Sequence, residues 1–125
     1  MLSLGCGQAA KPLNPNGDSE LAVLMRAMHD SAVRINTMIN QGTKPSVYPD
    51  AFIKIYTAKP TVPLKDKAGF DIYATDYLNS LKYLKESTPE DFNSNYNSML
   101  RKCVSCHQQI CPGPIKTIQK LMVAE

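Results

Sequence analysis

The chain has 125 residues, 43% of them hydrophobic, with 14 Lys and Arg against 11 Asp and Glu for a net charge of +3. That length suits one domain with a single core, and the apolar share excludes disorder along the whole chain. Charge so mild and dispersed gives no footing for nucleic acid, and no apolar run approaches the ~20 residues needed to span a bilayer.

The first stretch, "MLSLGCGQAAKPLNPNGDSE", lacks the charged and apolar regions of a full signal peptide. Its "SLGCGQ" looks like the tail of a bacterial lipoprotein signal, with Cys6 as the cysteine to be acylated; the plainer alternative is an incidental thiol. Rich in Pro, Asn, Gly and Ala and without periodicity, residues 1–17 read as a flexible tether ahead of a domain spanning 18–125.

From Ser19 to Gln41, Leu21, Leu24, Met25, Met28, Ala32, Ile35 and Ile39 recur at helical spacing as one apolar stripe. Asp18 or Ser19 can cap its start and Gly42 its end. A loop follows, then a shorter second helix in "PDAFIKIYTA" with Pro49 in its first turn. "KPTVPLKDKAG" is broken by Pro60, Pro63 and Gly69. A third pattern, "FDIYATDYLNSLKYLKES", points Ile72, Tyr73, Tyr77, Leu81 and Leu84 inward. "STPEDF" then opens a fourth helix, with a cap, a proline in the first turn and acids near the positive end of the dipole. That helix carries Phe92, Tyr96, Met99, Leu100, Cys103 and Cys106, until Pro112 and Pro114 interrupt it before a short helical end. No strand-like alternation occurs, so the expected fold is all-α, an antiparallel four-helix bundle.

Three of the four cysteines and one of the two histidines fall in "RKCVSCHQQICPGPI", residues 101–115. A closed zinc site would need separated ligand pairs to converge, whereas adjacent Cys106 and His107 point apart around one helix. A redox dithiol would need a strand before it and a helix starting at the motif. Disulfide stapling is open to these cysteines, but a bundle of this size does not require it. C-x-x-C-H suits covalent haem: Cys103 and Cys106, one turn apart, can add to the two vinyl groups, while His107 reaches the iron with its other ring nitrogen hydrogen-bonded nearby. The opposite face takes Met, His or nothing. The first helix offers Met25, Met28 and His29 together, although methionine on an apolar face is ordinarily core filler, as Met38, Met99 and Met122 are read here. No nucleophile–base pair, phosphate-cradling glycine loop or paired carboxylates suggest an enzyme.

A helical chain with C-x-x-C-H on its last helix resembles the cytochrome c-prime family, over about residues 20–121. The resemblance is closest to low-spin members with a helix-1 methionine ligand, through "LMR" at Leu24 to Arg26 and "GTKP" at Gly42 to Pro45. It implies a four-helix bundle around one haem c, bound through Cys103 and Cys106 and ligated by His107 and Met25, with Arg26 near a propionate. It implies electron transport outside the bacterial cytoplasm, in the periplasm or on a membrane surface if Cys6 carries lipid, with other redox proteins as transient partners. Relatives also form homodimers through their first helices. The alternative within the family is a five-coordinate haem that binds NO or CO, with Met25 as packing only; outside it, a membrane-anchored interaction module without haem. The short second helix and the broken segment after the motif depart from the family, and Cys111 has no assigned role: buried, free, or paired with Cys6 if that residue is not acylated.

Overall fold

A computed structural model describes residues 18–46 and 48–125, so the expected tether and Cys6 lie outside the described residues. The described chain is helical, with no strand: α1 (Glu20–Asn40), a 3₁₀ segment (Asp50–Tyr56), α2 (Lys67–Lys85), α3 (Phe92–Ile110) and the five-residue α4 (Ile115–Gln119). No described helix is long and apolar enough to cross a membrane.

α1 begins where its cap dictates. Ser19 is extended, and its hydroxyl accepts from the Ala22 amide at 3.1 Å, satisfying one of the donors a helix start leaves unpaired. Another is met from afar: the Leu21 amide donates to the Lys59 carbonyl at 3.0 Å, and the Lys59 amide returns a bond to Glu20 Oε1 at 2.9 Å. This exchange fixes the start of α1 to the chain leaving the 3₁₀ segment. At the other end Gly42 takes a φ of +76°, the left-handed conformation that glycine adopts at least cost.

Several expectations need correction. The second helix is a 3₁₀ segment of seven residues, with Pro49 as its cap rather than inside its first turn. It still buries Phe52 and Ile55, which its tighter winding places three residues apart on one side. α2 starts at Lys67, ahead of the expected break at Gly69: the Asp66 carboxylate folds over the first turn and accepts from the Gly69 amide at 2.9 Å, filling the place a β-carbon would occupy. Ile72 is 65% exposed, because the buried row of α2 runs through Phe70, Ala74, Tyr77, Leu81 and Leu84, and Ile72 falls out of phase with it. Thr88 to Asp91 form a turn, held by the Thr88 hydroxyl and Asp91, and α3 begins after it. The motif-bearing helix is therefore the third long helix, and α4 follows it. Met122, expected in the core, is exposed.

α2 and α3, joined by residues 86–91, share the most extensive backbone contact among these elements, while α1 meets chiefly the 3₁₀ segment. One continuous core joins them through Ile35, Leu84, Tyr96 and Leu100, all nearly inaccessible. Across that core the Tyr96 hydroxyl donates to the Ala32 carbonyl at 2.9 Å, tying α3 to α1. The C-terminal residues are held by asparagine side chains. Asn97 of α3 receives the Val123 amide at 2.9 Å and donates to the Val123 carbonyl at 2.7 Å, and Asn36 of α1 donates to the Leu121 carbonyl at 2.9 Å.

Candidate functional site

The last two turns of α3 carry Cys103, Cys106 and His107, each half-buried. The helix stops at Ile110 for a local reason. A proline disfavours helical geometry in the residue before it, and Cys111, before Pro112, sits at φ −155°, ψ 88°. Leaving the helix brings the Cys111 carbonyl to 2.8 Å from His107 Nδ1. A carbonyl can only accept, so Nδ1 carries the proton and Nε2 keeps its lone pair. Burial pushes the His107 pKa down, with the Cys111 carbonyl working the other way. The result is a neutral imidazole of fixed tautomer, oriented by a carbonyl as metal-ligating histidines usually are.

Two cavities, of about 520 and 420 Å³, lie beside this helix end, both inside the roughly 300–1,000 Å³ range of small-molecule sites. Met25, Cys106 and His107 border both, so the α1 methionine and the α3 histidine line the same two cavities. The larger is bordered also by the loop through Val62, Leu64 and Lys65. The smaller runs between α1 and α3 to α4 and takes in Arg26, Met28, His29, Tyr77 and Cys103. Met28 is buried and Met25 half-buried against the core. Arg26 borders the smaller cavity but holds Asp18 at 2.6 Å in a partly solvated pair. Every sequence-expected site residue thus borders one cavity or both.

The thiols of Cys103 and Cys106 are free. Burial pushes the Cys103 thiol up to about 12, with neighbouring Cys106 adding to the effect, and the Cys106 thiol up to about 11. A thiol–disulfide catalyst depends on the opposite, a thiol acidified towards thiolate. Cys111 is buried and disulfide-bonded, which removes the free-thiol alternative for it. Among the described residues, no three Cys, His, Asp or Glu side chains converge to hold a metal ion by themselves. A haem iron, with four donors from its own ring, asks the protein only for axial ligands. Two free thiols one turn apart, a histidine with its outer nitrogen committed and Nε2 open, and adjoining cavities faced by a thioether fit such a group.

Two contributors escaped the sequence reading. One is the loop through Val62 and Leu64, whose apolar residues among prolines were the signal that it covers something. The other is the Cys111 carbonyl, announced only by the proline after it. No family model, curated protein or solved structure matches this chain.

Proposed function

We propose that this chain is a c-type cytochrome that carries single electrons, a variant of the cytochrome c-prime architecture in which the 3₁₀ segment replaces one helix of an antiparallel four-helix bundle. When bound, haem c supplies reversible one-electron iron chemistry. Cys103 and Cys106 would hold it covalently, and His107 Nε2 and Met25 Sδ would ligate its iron. The observation that carries this reading is the His107–Cys111 hydrogen bond: it leaves a neutral Nε2 on the one histidine that borders both cavities with Met25 and Cys106.

The chain's own residues then do three things. Met25 and His107, from separate helices, would both ligate the iron and leave it no open position for a substrate. The Cys111 carbonyl keeps His107 in one orientation and tautomer through each redox change, so little reorganisation accompanies electron transfer. The apolar borders, Met28, Ile55 and Ile118 among them, keep water from the ring and favour the reduced, less charged iron. Exposed Arg101 and half-buried Lys102 flank the thioether edge, a face suited to brief docking of an acidic redox partner. Attachment of haem c implies a site outside the bacterial cytoplasm, in the periplasm. A homodimer through α1 is compatible with this reading.

The test is a visible spectrum, oxidised and dithionite-reduced, of protein made in a host that attaches haem c. Sharp reduced bands that carbon monoxide leaves unchanged are expected, as is loss of the low-spin spectrum in Met25→Leu. Broad bands that move with carbon monoxide would transfer the reading to a five-coordinate gas-binding protein. Colourless protein would overturn both.

A further inference from the structure

The sequence holds four cysteines, and the fold sorts them. Cys103 and Cys106 keep free thiols, whereas Cys111, a few residues further on, is disulfide-bonded and 6% exposed. A disulfide needs a second sulfur, and the one left over in this chain is that of Cys6. The two spared thiols are those of C-x-x-C-H, and the bonded sulfur stands outside that motif.

Cys111 is also the residue that holds His107. Its amide donates to the His107 carbonyl at 3.0 Å, and its own carbonyl accepts from His107 Nδ1 at 2.8 Å. The second bond depends on the extended backbone of Cys111, φ −155° and ψ 88°, where α3 ends ahead of Pro112. Helix ends are where local opening costs least, so two hydrogen bonds at such a place do not by themselves keep a ring in one orientation. The sulfur of Cys111 adds a third, covalent attachment, and it is buried.

We infer that Cys6 and Cys111 form a disulfide that anchors the chain after α3 and thereby fixes the orientation of the His107 ring. Cys111 is a positioning residue, acting on His107 through its backbone. The bond forms as the two thiols give up two protons and two electrons to an external disulfide, which becomes a dithiol; an oxidising compartment supplies such an acceptor. A thioether lipid on Cys6 would require the same sulfur, so the pairing and the anchor suggested by "SLGCGQ" exclude each other. The inference stands apart from the haem reading, because none of these contacts involves a bound group.

The first test takes the full chain, exported to an oxidising compartment, with its free thiols blocked by N-ethylmaleimide in acid and the unreduced protein digested for mass spectrometry. A peptide joining Cys6 to Cys111 is expected, separating into its two parts on reduction. A blocked Cys111, a bridge from Cys111 to Cys103 or Cys106, or a bridge between the Cys111 residues of two chains would each overturn the pairing. Positioning is read in protein labelled with ¹⁵N-histidine, in the ferrous state where haem is attached. Solvent exchange of the His107 Nδ1 proton is set beside that of the α2 amides, in the wild type and in Cys6→Ser. The variant leaves every described residue unchanged. Its Nδ1 proton is expected to exchange about tenfold faster relative to the α2 amides. Equal acceleration at both, or none at either, would overturn the positioning role. The peptide map depends on no variant folding. A chain that takes up no haem would remove the proposed function and leave this inference standing.

Discussion

The two halves of α3 obey the same helical periodicity but end in different surroundings. In the first half Phe92, Tyr96, Asn97, Met99 and Leu100 are at most 4% exposed, and the polar groups among them are hydrogen-bonded. In the second half Cys103, Cys106 and His107 stay half-buried beside two cavities. The difference lies in what faces them. α2 and the C-terminal residues fill the space around the first half. The second half looks towards a stretch of α1 that keeps its distance, and Met25 and His29 border the gap. Protein interiors are close-packed, so the space beside Cys103, Cys106 and His107 is where the proposed haem would sit.

The most forceful way to break this comparison is to remove the chemistry from the second half and leave the first untouched. In Cys103→Ser/Cys106→Ser, haem staining on a denaturing gel should fall to background, because no thioether remains to survive unfolding. The haem-free variant should unfold within about 1 kcal/mol of the haem-free wild type, since neither thiol is fully buried or bonded to another sulfur. Staining that persists would sink the attachment; a collapse in stability would mean the second half is packed as tightly as the first.

The converse substitution belongs to the first half. Leu100 is 1% exposed at the centre of the core, so Leu100→Ala should cost about 2–5 kcal/mol through lost burial and the void it leaves. Against a total of about 5–15 kcal/mol for a domain, that is enough to move a urea midpoint far down. A cost near that of a surface change would show that the core does not run through α3 as described.

The contrast also explains what could be read in advance. α1 was legible to its ends, because Ser19, the apolar stripe and Gly42 all state the same boundaries locally. That Cys103, Cys106 and His107 lie together near one helix end was legible from their spacing alone. Met25 emerged from the stripe only with help from resemblance, and the structure puts it beside the same two cavities as His107. The 3₁₀ winding of Asp50–Tyr56 was not legible: over seven residues the apolar spacing does not decide which carbonyl each amide will meet. Ile72 failed because apolar character was read without the phase of its neighbours, and Gly69 because a helix breaker was not weighed against the carboxylate of Asp66 above it.

A smaller effect is expected where α3 holds the chain end. Asn97 is 2% exposed and bonds both backbone groups of Val123. Asn97→Ala removes both bonds and leaves those groups to find water, at about 1–3 kcal/mol. Amide exchange should quicken at residues 121–125 before it changes in α1 or α2. Uniform quickening through the whole molecule would mean that Asn97 supports the core itself.

The smallest effect is a pH dependence. The Tyr96 phenol is pushed up to about 12, chiefly by burial, with Cys103 nearby adding to it and Asn36 working the other way. Folded, the phenol holds its proton more tightly than in the unfolded chain, where it is lost near pH 10. Its contribution is therefore complete below about pH 10 and is lost as pH rises from there towards 12. Tyr77 is raised by burial in the same direction, so the Tyr96 share must be isolated by substitution. Tyr96→Phe gives up the bond to the Ala32 carbonyl, worth about 0.5–1.5 kcal/mol at neutral pH, but has no phenol to ionise. Urea midpoints of the haem-free proteins should differ most at neutral pH and converge by about pH 11, with Tyr77 and the thiols acting on both alike. A gap that stays constant across that range would mean that Tyr96 ionises no more reluctantly in the fold than outside it, and that the first half of α3 is wetter than its burial implies.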